Sequence, residues 1–192
     1  DLDSLSSDNC GISSFSADIT QFDCSMLGTN TVLFTVEDAS GNSTTVATTV
    51  TVSNNNPPTV QGAYYQLEID PSTGTVEISD VSVLDGGSFD VCGSSITITA
   101  ADQTFFDCSN IGMNYVNITG EDSYGNVGYG IAIVDVQDLT PPAMNCRSIS
   151  ITLDANGQAT IATSDIDNGT TDNCGPVNLS LNITQFTTAN IG

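Results

Sequence analysis

The chain repeats itself at a fixed interval, and this limits its fold more than any other feature. Cys10-Gly11 returns as Cys92-Gly93 and as Cys174-Gly175, each 82 residues after the last. Phe22-Asp23-Cys24 returns as Phe106-Asp107-Cys108, and Glu37-Asp38 with Gly41-Asn42 returns as Glu121-Asp122 with Gly125-Asn126, both 84 residues on. Pro57-Pro58 returns as Pro141-Pro142, and Gly28 with Asn30 as Gly112 with Asn114. Landmarks that recur in one order describe a tandem array, in which each unit is one supersecondary module.

Proline fixes φ and biases its predecessor to an extended form, so each Pro-Pro pair reads as a stiff linker and a boundary. The expected division is residues 1–56 as the C-terminal part of a first repeat, 57–140 as a complete repeat, and 141–192 as the N-terminal part of a third. Half a module cannot bury its inner face. The favoured expectation is a piece of a longer polymer, mature or truncated, with no signal peptide in view. The alternative is head-to-tail polymerisation, in which complementary halves of neighbouring copies complete each other.

Within a repeat the apolar period is two. Val32, Phe34 and Val36 alternate with threonines, as do Val50 and Val52 with Thr49 and Thr51. Ile149, Ile151 and Leu153 alternate with Ser148, Ser150 and Thr152, and Leu179, Leu181 and Ile183 follow the same rule. Such runs predict half-buried strands. Turn signals separate them at Ser40-Gly41-Asn42, Pro71-Ser72-Thr73-Gly74 and Asp154-Ala155-Asn156-Gly157. About seven short strands per unit and no helical period predict an all-β fold of tandem immunoglobulin-like β-sandwich repeats of about 82–84 residues.

Charge narrows the partners. Arg147 is the one basic residue against 19 Asp and 4 Glu, a formal charge of −22. A polyanion of this kind is repelled by nucleic acid and by anionic membranes, and no apolar run is long enough to span a bilayer. Catalysis is not expected. Without histidine a nucleophile lacks its usual base, and a paired-carboxylate glycosidase would have no tryptophan for sugar stacking.

Six cysteines without histidine point to disulfides in an oxidising compartment rather than to zinc. Matching positions predict Cys10–Cys24 and Cys92–Cys108 within their own repeats. Thr188 stands where Cys24 would recur, which leaves Cys146–Cys174 as the economical third bond.

Asp1, Asp3 and Asp8 have the spacing of Asp165, Asp167 and Asp172, and each set precedes a Cys-Gly. The middle repeat keeps Asp85 and Asp90 but has Val83, Gly86 and Val91 where the third has Asp165, Asn168 and Asn173. Closely spaced loop carboxylates suit calcium, which takes six to eight oxygens, although the closing Glu of an EF-hand is missing. The same residues equally serve as turn caps that accept backbone N–H groups. A secondary carboxylate set, Glu37 and Asp38, Glu121 and Asp122, with linker Asp138, stands ready to share an ion at the joint between modules, or simply to shape a hairpin.

The run from Asp165 to Gly175, the later Phe and Gly-x-Asn, the Val-x-Asp-x-x-Gly-Asn hairpin and the Pro-Pro linker together resemble the hyalin-repeat-like (HYR-like) immunoglobulin-type modules of giant surface and gliding adhesins of Bacteroidetes. That resemblance implies secretion, display at the bacterial cell surface in long arrays or filaments, and a role in cell adhesion or gliding motility. It also makes Ser4, in Asp3-Ser4-Leu5, a candidate for O-glycosylation. On this view the chain is a stalk whose partners are neighbouring repeats. The rival expectation is a module that grips a glycan, another cell or a surface.

Overall fold

The computed structural model describes Asp3 and residues 5–191. In chain order the strands are β1 (Ile12–Ala17), β2 (Gly28–Asp38), β3 (Ser43–Val52), β4 (Tyr64–Glu68), β5 (Thr75–Glu77), β6 (Ile96–Ala101), β7 (Phe105–Asp107), β8 (Gly112–Asp122), β9 (Val127–Gln137), β10 (Gln158–Thr160) and β11 (Gln185–Thr187). Short 3-10 turns open at Cys24, Val81, Cys108 and Thr188, and α1 (Thr163–Ile166) is a single helical turn.

The spacing seen in the sequence reappears in the elements. β1, the Cys24 turn, β2 and β3 start at residues 12, 24, 28 and 43, whereas β6, the Cys108 turn, β8 and β9 start at 96, 108, 112 and 127, so each begins 84 residues on. The β2–β3 and β8–β9 hairpins turn at Gly41 and Gly125, both at φ 85°, where a Cβ would be strained. Asp38 and Asp122 close the two turns by accepting the backbone N–H of Asn42 and of Asn126, at 2.9 and 2.8 Å.

The chain forms two compact units. One takes Asp1–Thr59, Ser88–Thr97 and Gly120–Gly128; the other takes Val60–Gly87, Ile98–Thr119 and Tyr129–Gly192. The first therefore borrows a loop and a hairpin tip from beyond the Pro57 boundary. It is built on an antiparallel sheet of order β1-β2-β3, with Val32 fully buried.

The second unit holds a β-sandwich core. A sheet of order β4-β9-β8-β6 and the short β5–β7 pair contribute Ile98, Phe106, Val116, Ile118, Ala132, Val134 and Val136, joined by Ile69, Ile78 and Leu84. Inward side chains alternate along β8 and β9, as period two requires. Each fully buried Val, Ile or Phe contributes about 1.5–3 kcal/mol of transfer free energy. β4 runs parallel to β9, from Tyr64 opposite Ile133 to Glu68 opposite Gln137. The approach is close at Gly62, where a Cβ would lie 2.0 Å from the Ile131 carbonyl oxygen.

Two expected strands are absent. Residues 148–153 and 179–183 alternate correctly but are extended chain without a ladder, because no partner strand lies beside them among the described residues. Alternation specifies which face is apolar; hydrogen bonding to a neighbour makes the strand.

Candidate functional site: disulfide joints and the Asn54 carboxylate cluster

The disulfides differ from the expected pairing. Cys24 bonds Cys92, and Cys108 bonds Cys174, with Cα atoms 5.2 and 5.0 Å apart; Cys10 and Cys146 are exposed thiols. The Cys10–Cys24, Cys92–Cys108 and Cys146–Cys174 pairs are therefore not formed. Period alone does not choose, since pairing within a repeat and pairing across the boundary both conserve the spacing. Folding lays the Cys-Gly loop of one repeat against the 3-10 turn of the repeat before it, which makes the crossing bond the short one. Sequence separations of 68 and 66 show the same joint made twice. Loops of that size are worth about 4 kcal/mol each in the chain-entropy account of disulfides.

The loop aspartates point their oxygens at their own backbones. Asp3 accepts from Ser6 N, Asp8 from Cys10 N, Asp85 from Gly87 N and Asp172 from Cys174 N. Asp165 accepts from Ala162 N at 2.8 Å and Asp167 from Thr170 N at 2.9 Å. Among the secondary set, Asp138 accepts from Thr140 N, and Glu37 and Glu121 are exposed. Asp1 and Ser4 lie outside the described residues. Among the described residues no three His, Cys, Asp or Glu side chains are grouped to hold a metal ion.

One residue from each predicted carboxylate set does come together, in the first compact unit. Asp90 and Asp122 are buried, at 6% and 5% exposure, and Asn54 lies between them at 6%. The Asn54 amide donates to both Asp90 oxygens, at 3.3 and 3.1 Å. The Asn126 amide donates to the Asn54 carbonyl at 3.0 Å and to Asp122 at 2.8 Å. Asp90 also accepts from Cys92 N, so the network runs directly into the Cys24–Cys92 bond.

Burial works against both charges. The hydrogen bonds outweigh it: the Asn54 amide with the Ser94 and Cys92 N–H groups at Asp90, and the Asn126 side chain and backbone with Tyr124 N–H at Asp122. Both carboxyls are held below their ordinary range, although the charge of Asp90 raises that of Asp122. The hairpin thus faces the linker before it, through Asn54, and not Asp138. Sequence reading took Asn54 for a plain linker residue; its only signal was its place beside the Pro-Pro pair.

Arg147 spends its guanidinium on the Ser164 and Asp165 carbonyls, at 2.8 Å each. No described helix is long and apolar enough to cross a membrane.

No protein-family model matches the chain, and no curated protein matches it. Solved structures similar to it include the extracellular cadherin domains 1–4 of protocadherin gamma B7, at 13% identity and TM-score 0.37, covering 74% of this chain and 46% of that one. A protocadherin gamma B7 EC3–6 cis-dimer structure gives 17% and 0.35, covering 77% and 45%, and an endo-fucoidan hydrolase gives 14% and 0.25, covering 68% and 23%. The chain spans less than half the length of each.

Proposed function

We propose that this chain is a non-catalytic length of the stalk of a secreted cell-surface adhesin, a series of immunoglobulin-like repeats bounded at Pro57 and Pro141. The observation that carries the reading is the twice-made joint, Cys24–Cys92 and Cys108–Cys174, which ties each Cys-Gly loop to the preceding repeat at nearly equal separation. A stalk needs joints that resist bending and extension, and a covalent bond beside a buried polar network supplies that stiffness. Disulfides also fit an extracellular compartment. Placement on a bacterial surface, a part in gliding and a glycan on Ser4 rest on the resemblance of the motifs alone. The test is a glycan-array and cell-binding assay on the chain. A stalk binds nothing; saturable binding overturns the reading.

A bound cation belongs to this proposal as a second element. Asp90 and Asp122 are buried near enough to raise one carboxyl by the charge of the other, and the single basic side chain is engaged elsewhere. Calcium is the hard cation such oxygens take. Thermal melting in calcium against chelator tests it, with a higher transition in calcium that Asp122→Asn abolishes; equal transitions reject the cation.

The binding-module alternative has its own observation. Tyr64, Met113, Tyr115, Tyr129 and Ile131 are 54–78% exposed on β4, β8 and β9. The places matching the last four, 84 residues earlier, hold Thr29, Thr31, Thr45 and Ala47. Aromatic side chains on a flat sheet suit stacking against a sugar or an apolar surface. The same glycan array decides between the two readings.

A further inference from the structure

The outer edge of β3 is uncovered, and the chain contains the template for what covers it. β9, the counterpart of β3, is flanked by β4 in parallel register. Subtracting 84 from the β9 partners, 133–137, gives 49–53, where no strand pairs among the described residues. Burial records the difference. Ala132, Val134 and Val136 are at most 1% exposed, whereas Thr48, Val50 and Val52 at the matching places are only half-buried. Ile118 is 1% exposed and its match Phe34 is half-buried, beside an open cleft of about 580 Å³ that Ile12, Val36 and Val46 also line.

The complementary element is also present and unused. Residues 148–152 match β4, with Ile149 and Ile151 in the places of Tyr65 and Leu67. Tyr65 and Leu67 pack on the core, while Ile149 and Ile151 are 39% and 41% exposed on a segment without a ladder. The turn that follows is the same as after β4: Ser72 N donates to Asp70, and Asn156 N to Asp154.

We propose that the β3 edge over residues 49–53 is a docking site for residues 148–152 of a second copy of this chain, added as a parallel strand in the β4–β9 register. Ser148 then lies opposite Thr49 and Thr152 opposite Ser53, which sets Ile149 beside Val50 and Ile151 beside Val52. An open edge accepts an extended segment through main-chain hydrogen bonds, and alternate side chains fix the register. Because the donor and acceptor surfaces differ, the contact is head to tail and propagates as a filament. The inference rests on the stalk reading and names the partner that extends the stalk.

The test is sedimentation of the 192-residue chain across a dilution series, with non-reducing gels of the same samples to detect links through Cys10 or Cys146. Concentration-dependent assembly is expected. Ile151→Asp and Val52→Asp should each weaken it about tenfold or more, by placing a charge in the buried strand contact, with circular dichroism unchanged. Cys146 occupies the place of Gly62, so Cys146→Gly, which removes a Cβ at the close approach, should tighten assembly. A chain that stays monomeric throughout, assembles only through disulfides, or assembles equally with Ile151→Asp overturns the proposal. None of these results bears on glycan binding, so the stalk reading stands or falls separately.

Discussion

The side-chain amide of Asn54 bridges both carboxylate oxygens of Asp90 from a position where each residue is about 94% removed from solvent. The contact joins the linker before Pro57 to the loop that carries Cys92, so the polar network and the disulfide secure the same joint.

Replacing Asn54 should therefore cost more than a surface change. Asn54→Ala leaves a buried carboxylate short of a donor and is expected to destabilise by about 1–3 kcal/mol. Asn54→Asp should cost more, since it sets a third carboxylate beside Asp90 and Asp122. Denaturant melts of the three proteins check this; equal midpoints would remove the network from the account.

The turn carboxyls predict a direction for acid stability. Asp38 is held below its ordinary value by the Asn42 amide, Asp70 by the Ser72 hydroxyl, Asp107 by the Ser109 hydroxyl and Asp154 by the Gln158 N–H. A folded carboxyl with a depressed pKa binds fewer protons than the unfolded one, whose pKa is about 3.9. The stability it contributes is complete above that value and is lost as pH falls through the folded pKa. Protonation also relieves repulsion within a chain of charge −22, so the melts belong in roughly 1 M salt, where the screening length is about 3 Å. The transition temperature should be flat from neutral pH down to about 5 and fall below about 4. A rise below 4 would contradict the turn-capping role.

Much of this was legible in the chain. β2 and β3 follow from the alternation of Val32, Phe34, Val36, Val50 and Val52, and the hairpin tips follow from Gly41 and Gly125. The place of each loop aspartate was readable, but not the direction of its oxygens. Spacing permits convergence on an ion, and only the fold shows Asp165 turned to Ala162 N and Asp167 to Thr170 N. The cysteine partners were hidden for a similar reason, because the period is preserved whether Cys24 bonds Cys10 or Cys92. Asn54 was hidden because its role depends on Asp90 and Asn126, which lie 36 and 72 residues away.

Two glycines separate close packing from backbone conformation. Gly62→Ala would force a Cβ against the β9 backbone, 2.0 Å from Ile131 O and 2.4 Å from Ala132 N, and is expected to cost about 3 kcal/mol or separate β4 from β9. Gly125→Ala meets nothing closer than Glu121 Oε1 at 3.8 Å, and its positive φ should cost only about 1 kcal/mol. Thermal melts that rank them in the opposite order would show that β4 is not packed as described.

The crossing disulfides are the centre of the account, and peptide mapping reaches them most directly. The unreduced chain is alkylated, cut at its aspartates and analysed by mass spectrometry. Linked peptides joining Cys24 to Cys92 and Cys108 to Cys174, with Cys10 and Cys146 alkylated, are the predicted result. Linked peptides joining Cys10 to Cys24 and Cys92 to Cys108 would contradict it, because each bond would then close inside one repeat and nothing covalent would hold the joint.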